Sequence, residues 1–182
     1  MVDGNNSRFI SIDDFHLMVD AISILANFKN EAPELVTFLN KQAHAESMAN
    51  LSKTFLLITN DEKKVHGYFS ISTSEIARKV VKAPHGTTYS NVPSALIGRL
   101  ARDIDSKGLG VGEVLLFEAL KQIVSISNLI GLKFILTDAK NNKAQSFYES
   151  YGFKAIKGKV EGQYPLKLYL PIDFAKTTVA TY

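Results

Sequence analysis

A chain of 182 residues can bury one full core, and 46% hydrophobic with 21% charged residues is the balance of a globular domain. It contains no cysteine, which excludes disulfides, thiolate metal sites and a cysteine nucleophile. The net charge of +3 suits an anionic partner without demanding one. No apolar run reaches the roughly 18 residues of a membrane span, and the polar start "MVDGNNSRF" lacks the apolar stretch of a signal peptide. The expectation is a cytoplasmic protein folded as a single domain over residues 1–182.

"RFISI" (Arg8–Ile12) alternates as a first strand. Phe15, Val19 and Ile22 then follow helical spacing, and Glu31–Asn50 predicts a second helix with Leu35, Leu39 and Ala43 on one face. "TFLLIT" (Thr54–Thr59) is a buried strand and "NDEKK" the turn after it. Val65, Gly67, Phe69 and Ile71 alternate with His66, Tyr68, Ser70 and Ser72 in the period of the returning strand. A polar loop, "KAPHGTTYSNVP" (Lys82–Pro93), precedes the extended "SALIGRLARD". A helix follows near Gly110–Asn128, then the strand "KFILTD" (Lys133–Asp138). "NNKAQSFYESYGF" (Asn141–Phe153) is a short helix ending at Gly152, and "PLKLYL" (Pro165–Leu170) closes the chain as a last strand. The result is a mixed α/β domain in which one strand–loop–helix crossover carries a cluster of glycines.

That cluster is "DSKGLGVGEVLLFEAL" (residues 105–120), where Gly108, Gly110 and Gly112 alternate before an amphipathic run. A Walker loop is excluded, because Gly112 is followed by Glu113 and Val114 rather than Lys and Ser/Thr. The dinucleotide fingerprint G-x-G-x-x-G fails in both registers, since Glu113 and Leu115 stand where its third glycine belongs. What remains is a loop whose backbone N–H groups, at the start of a long helix, can hold an anion. A tight turn without a ligand is the alternative.

Lys107-Gly108-Leu109-Gly110-Val111-Gly112 fits the [Gln/Arg]-x-x-Gly-x-[Gly/Ala] loop of the GNAT acyltransferases, with lysine in the first place. Further along, "NNKAQSFYESYGF" resembles the Asn-x-x-Ala-x-x-Phe-Tyr helix of that superfamily, followed by "YGF". The resemblance implies a GNAT fold: a central twisted mixed sheet of about six to seven strands, splayed at the acetyl-CoA site and flanked by about four helices. It implies that the bound phosphate is the pyrophosphate of acetyl-CoA. "FKNEAPELVTFLNKQAHAESMANLSKTFLLI", "KVHGYFSIS" and "VPSALIGRLARD" are, in this order, similar to the GNAT toxins of toxin–antitoxin pairs. Two departures stand out: Arg102 replaces the usual apolar residue of "LAVD", and Lys107 replaces glutamine or arginine. Lysine still meets a phosphate, as a point charge without arginine's fork.

By this resemblance Tyr148 is the catalytic residue, an acid that protonates the departing thiolate; phenol and thiol, with ordinary pKa values of about 10 and 8.5, are matched for that transfer. Lys107 through Gly112 (Lys107, Gly108, Leu109, Gly110, Val111, Gly112) hold the pyrophosphate. The backbone of Leu100, Ala101 and Arg102 runs beside the pantetheine arm, and Phe147 belongs to the same site. Asn141 holds the arm by its side-chain amide or caps the short helix. Asp103 and Glu75 are the candidates for a general base, though none stands in a distinctive motif. His16, His44, His66 and His85 lack ligand spacing, and no metal is expected. "ARKVVK" (Ala77–Lys82) and "GRLARD" (Gly98–Asp103) concentrate cations, of which Arg78, Lys79, Lys82 and Arg99 are candidates for binding the acceptor, with Arg102 nearby.

The implied activity is acetyl-CoA-dependent N-acetylation of a primary amine, with the α-amine of aminoacyl-tRNA as the leading acceptor. An α-amine near pKa 7.7–8.0 is partly neutral already, whereas a lysine amine near 10.4 must first lose a proton. The alternatives are a small-molecule or protein amine, or an acyl-CoA-binding module without catalysis. Expected partners are a ribbon-helix-helix antitoxin and a second copy of the chain, with no membrane.

Overall fold

The computed structural model describes residues 6–81, 88–156 and 162–181. Among them are seven strands: β1 (Ser7–Ser11), β2 (Lys53–Thr59), β3 (Val65–Ala77), β4 (Asn91–Arg102), β5 (Phe134–Ala139), β6 (Lys154–Ala155) and β7 (Leu166–Pro171). There are also seven helices: α1 (Ile12–Phe15), α2 (Ala21–Ala26), α3 (Pro33–Lys41), α4 (Ala43–Met48), α5 (Val111–Ser127), α6 (Asn142–Ser150) and α7 (Ile172–Thr181). The strand order is β1-β2-β3-β4-β5-β7-β6. Strand β4 runs parallel to β5, with α5 as the crossover between them in sequence. The β1–β2, β2–β3, β5–β7 and β6–β7 pairs are antiparallel. This is the mixed α/β architecture that the sequence predicts. No helix among the described residues is long and apolar enough to cross a membrane.

The chain falls into two compact units, Met1–Ser72 with Gly98–Ala119 and Thr73–Ile97 with Leu120–Tyr182. The first has its core on Tyr68, fully buried, with Phe28 edge-on at 5.6 Å and Phe38 stacked at 6.0 Å. The Tyr68 hydroxyl donates to Leu35 O at 2.7 Å, so the ring is buried without orphaning its polar end. Gly67, beside it on β3, leaves room for α5. A Cβ there would stand 2.7 Å from both Ala101 O and Leu115 Cδ1, and 3.1 Å from Val111 Cγ1. The second unit buries Ile76, Val81, Val92, Phe134 and Leu136, with Tyr169 edge-on to Phe134 at 5.4 Å.

Several local expectations are corrected. The predicted helix through Phe15, Val19 and Ile22 ends at Phe15, and α2 starts only after Asp20, which is left-handed (φ 65°). That reversal resets the helical phase: Ala21, Leu25 and Phe28 turn inward, while Val19 and Ile22 are exposed. The helix predicted over Glu31–Asn50 starts at Pro33, a residue suited to a first turn, and breaks at Gln42 (φ −122°). Beyond the break, Ser47 on α4 donates to Asp13 Oδ2 at 2.8 Å. Strand β3 is buried on both faces from Gly67 to Ile71, so its alternation does not separate a wet face from a dry one. The chain does not close on β7, because α7 follows it. These two breaks and α7 turn four expected helices into seven.

Gly67→Ala places a methyl against a backbone carbonyl that cannot rotate away. It is expected to destabilise the fold by about 1–3 kcal/mol, as overpacking does, read from the urea midpoint at unchanged m-value.

Candidate active site

In the first unit the glycine loop is anchored where β4 ends. The Asp103 carboxylate is buried, with Oδ2 accepting Lys29 N–H at 2.8 Å and Oδ1 accepting Asp105 N–H at 3.0 Å. Its own N–H donates to His66 O at 2.7 Å, and Ile104 N–H donates to Lys29 O at 2.8 Å. Lys64 Nζ lies 3.8 Å from Asp103 Oδ1, and the His66 ring is hydrogen-bonded through Nδ1 to Ser106 Oγ at 3.0 Å. With both oxygens engaged by backbone N–H groups, Asp103 holds the chain where the loop begins.

Leu100 and Arg102 are half-buried and Ala101 is buried. Asn30 Nδ2 donates to Arg102 O at 2.8 Å, and the Arg102 guanidinium pairs with Glu31 at 2.9 Å. This accounts for the departure at Arg102: its charge is spent on a local ion pair. After the 3₁₀ turn Ile104–Ser106 come Lys107, Gly108, Leu109 and Gly110, all exposed. Gly108 (φ 81°) and Gly110 (φ 75°) are left-handed, and a Cβ on either would meet nothing within 4 Å. These glycines serve a backbone conformation beside open space, not tight packing. Val111 is buried at the start of α5, Gly112 is half-buried, and the first helical bond runs from Val114 N–H to Gly110 O at 3.2 Å. The N–H groups of Val111 to Glu113, in the first turn of α5, are of the kind that a helix leaves unpaired at its positive end. Open space over left-handed glycines, those donors and the Lys107 ammonium suit a pyrophosphate.

In the second unit, β4 pairs with β5 over Ser94–Ile97 and Phe134–Thr137, although β4 continues to Arg102 and β5 to Ala139. Ile97 and Thr137 are the last pair of that register. Tyr148 on α6 is buried, edge-on to Phe147 at 5.2 Å and tilted against Phe153 at 5.3 Å. Burial holds its phenol above the ordinary ionisation range, while a hydrogen bond with the Thr137 side chain acts the other way. The group therefore keeps its proton at neutral pH, as an acid must. Phe147 is half-buried between Tyr148 and Tyr151. Asn141 caps α6, its Oδ1 accepting Ala144 N–H at 2.9 Å; this is the capping role that the sequence leaves open. Gly152 is left-handed (φ 88°), and a Cβ there would collide with the Phe174 ring of α7. That fixes the end of the Tyr148 helix.

Of the candidate acceptor-binding cations, Arg78 and Lys79 lie exposed in the 3₁₀ turn Arg78–Val80, in the second unit. Arg99, in the first, stacks its guanidinium 3.7 Å over Phe38. Lys82 and His85 lie outside the described residues. Glu75 accepts from Asn91 Nδ2 at 2.6 Å. His16 and His44, which the sequence leaves as unrelated residues, stack at 3.9 Å. One contribution to the loop has no local sequence signal: the Asp103 anchor.

The model of the GNAT acetyltransferase domain matches residues 24–164. The chain is 31% identical over 134 residues to a tRNA-acetylating toxin of Mycobacterium tuberculosis, covering 71% of this chain and 78% of that protein. It is 26% identical over 145 residues to a probable toxin TacT of Sinorhizobium fredii, covering 74% and 77%. Among solved structures it resembles AtaT complexed with acetyl-methionyl-tRNAfMet, with TM-score 0.82 and 25% identity, over 95% of this chain and 99% of that one. The family match spans the glycine loop, β4, β5 and the Tyr148 helix, so the chain belongs to the GNAT family of acetyl-CoA-dependent N-acetyltransferases.

Proposed function

We propose that this chain transfers the acetyl group of acetyl-CoA to the α-amine of an aminoacyl-tRNA, and so blocks translation as the toxin of a toxin–antitoxin pair. The observation that carries this reading is the 31% identity to a tRNA-acetylating toxin across most of both chains. The AtaT structure, whose ligand is an acetylated aminoacyl-tRNA, supports it. A ribbon-helix-helix antitoxin and a second copy of the chain are the partners that go with this reading, and the cytoplasm is its compartment.

Lys107 to Gly112 bind the pyrophosphate through backbone N–H groups and the Lys107 ammonium. The backbone of Leu100–Arg102 runs beside the pantetheine arm, with Phe147 and the Asn141 amide completing the binding set. The neutral amine attacks the thioester carbonyl, the carbon–sulfur bond breaks, and the Tyr148 phenol gives its proton to the leaving sulfur. The proton lost by the amine nitrogen restores the phenol through solvent, so the products are the amide and the free thiol of CoA. Arg78, Lys79, Lys82 and Arg99 supply cations for the phosphates of the acceptor.

Gly110→Val adds a β-branched side chain at φ 75°, where the pyrophosphate is to lie. Calorimetric titration is expected to show acetyl-CoA affinity reduced on the order of tenfold or more, as for loss of one or two anion contacts. Unreduced affinity in the folded variant would remove the loop from the binding site.

Tyr148→Phe keeps the ring packing and deletes the acid. Its kcat is expected to fall on the order of 10²–10⁴-fold with acetyl-CoA affinity nearly unchanged. A variant that turns over at the wild-type rate moves the acid elsewhere, Tyr151 being the next residue to test.

For the acceptor, radiolabelled acetyl-CoA with a mixed pool of aminoacylated tRNA is expected to label the tRNA. In Arg78→Ala with Lys79→Ala, KM for charged tRNA is expected to rise and the salt slope to flatten by about one unit per lost phosphate contact. Acetylation of a small amine would be left nearly unaltered. If the wild-type protein labels a polyamine or peptide but no tRNA, the acceptor is a small or protein amine instead.

A further inference from the structure

Tyr89 stands bare at a point where the chain around it is fastened. It is 71% exposed, and among the described residues no ring packs on it. The strand ends beside it are tied into the core of the second unit. Ile76 and Val81 on one side and Val92 on the other are buried in one cluster. Asn91 Nδ2 donates to Glu75 Oε1 at 2.6 Å, and Arg78 N–H donates to Ser90 O at 2.9 Å. The second of these bonds holds Ser90 against the 3₁₀ turn Arg78–Val80, whose two cations Arg78 and Lys79 are exposed. Tyr89, next to Ser90, therefore stands beside that turn, placed by main-chain bonds and not by contacts of its own ring. An aromatic face beside cations is the combination that binds single-stranded nucleic acid, the ring for a base and the cations for its phosphates.

We propose that Tyr89 is the stacking platform for an unpaired nucleobase of the acceptor RNA, with Arg78 and Lys79 meeting the phosphates that flank that base. This rests on the reading of aminoacyl-tRNA as the acceptor. The amino acid is carried on the 3′ end of the RNA, where the nucleotides are unpaired. Bases inside a duplex have both faces covered by their neighbours, so only such an end can lay a base on the ring. Every base has a π-face, which makes the contact indifferent to sequence. A tyrosine on a tethered backbone has only two side-chain torsions to fix when the base arrives, so little conformational freedom is lost. The two kinds of contact differ in their response to salt. Phosphate contacts release counterions and weaken as salt rises, whereas stacking on an uncharged ring releases none.

Each Tyr89 variant is measured for its KM for charged tRNA over a range of salt, with acetyl-CoA affinity by calorimetry as the check of folding. Tyr89→Ala is expected to raise that KM on the order of tenfold, as for one lost base stack, and by the same factor at every salt concentration. Tyr89→Phe keeps the ring and is expected to stay near the wild-type KM. Tyr89→Leu, apolar without a π-face, is expected to follow the alanine. Tyr89→Trp puts a single tryptophan into a chain that otherwise has none. Charged tRNA added without acetyl-CoA is expected to quench its emission as a base stacks on the indole. A wild-type KM in Tyr89→Ala, a leucine variant equal to the phenylalanine one, or indole emission unmoved by saturating tRNA each overturns the platform and leaves tRNA acetylation standing. A KM increase in Tyr89→Ala that vanishes at one end of the salt range shows an electrostatic effect and also overturns it. Failure of the wild-type protein to label any charged tRNA removes the acceptor itself, and the platform with it.

Discussion

The Asp103 carboxylate, 2% exposed at the end of β4, is the constraint on which the glycine loop depends. A buried carboxylate without partners would cost several kcal/mol. Here the partners are backbone N–H groups, which are otherwise just as expensive to strand in the interior. Lys29, whose N–H meets Oδ2, precedes Asp103 by 74 residues, and Asp105, whose N–H meets Oδ1, follows it by 2. One side chain thus fastens the segment before α3 to the start of the loop and caps the 3₁₀ turn Ile104–Ser106. The left-handed glycines can then stay open to solvent because their position is set by bonds made before them, not by packing of their own.

Glycine performs unrelated tasks along this chain, and the surroundings separate them. At Gly67 the backbone conformation is ordinary and space is the issue, since α5 packs where a side chain would be. At Gly108 and Gly110 space is free and the left-handed backbone is the issue. Gly152 combines both, with a left-handed φ beneath the Phe174 ring. Substitutions at the first kind should register as lost stability. Those at the second kind should register in what the loop can hold.

Much of this was legible in the residues. The glycine alternation before α5 and the Asn-x-x-Ala-x-x-Phe-Tyr helix are local patterns, and both fall on the elements they predict. So do β2, the first part of β3, and Gly152 as the end of α6. The failures share a cause. Phe15, Val19 and Ile22 have helical spacing, but a left-handed Asp20 interrupts the phase, and spacing carries no information about φ. The stack of His16 on His44, the bond from Lys29 to Asp103 and the bond from Thr137 to Ile97 join residues distant in sequence. No window of periodicity contains such pairs. The helix α7 follows β7 without a break.

The acid–base arrangement constrains the acceptor. Asp103 is engaged on both oxygens, and Glu75 accepts a hydrogen bond from Asn91. With Tyr148 as the proposed acid and these two carboxylates already hydrogen-bonded, the reaction works best on an amine that arrives neutral. Near pH 7.4 a lysine amine is neutral in only about one part in a thousand, whereas an α-amine is neutral in a sizeable fraction. Burial of Tyr148 complements this, because a phenol held above its ordinary range is fully protonated wherever such an amine is neutral. On the proposed assignment of Tyr148, the acceptor brings its own basicity and the protein brings the proton for sulfur. That division of labour favours an α-amine over a lysine.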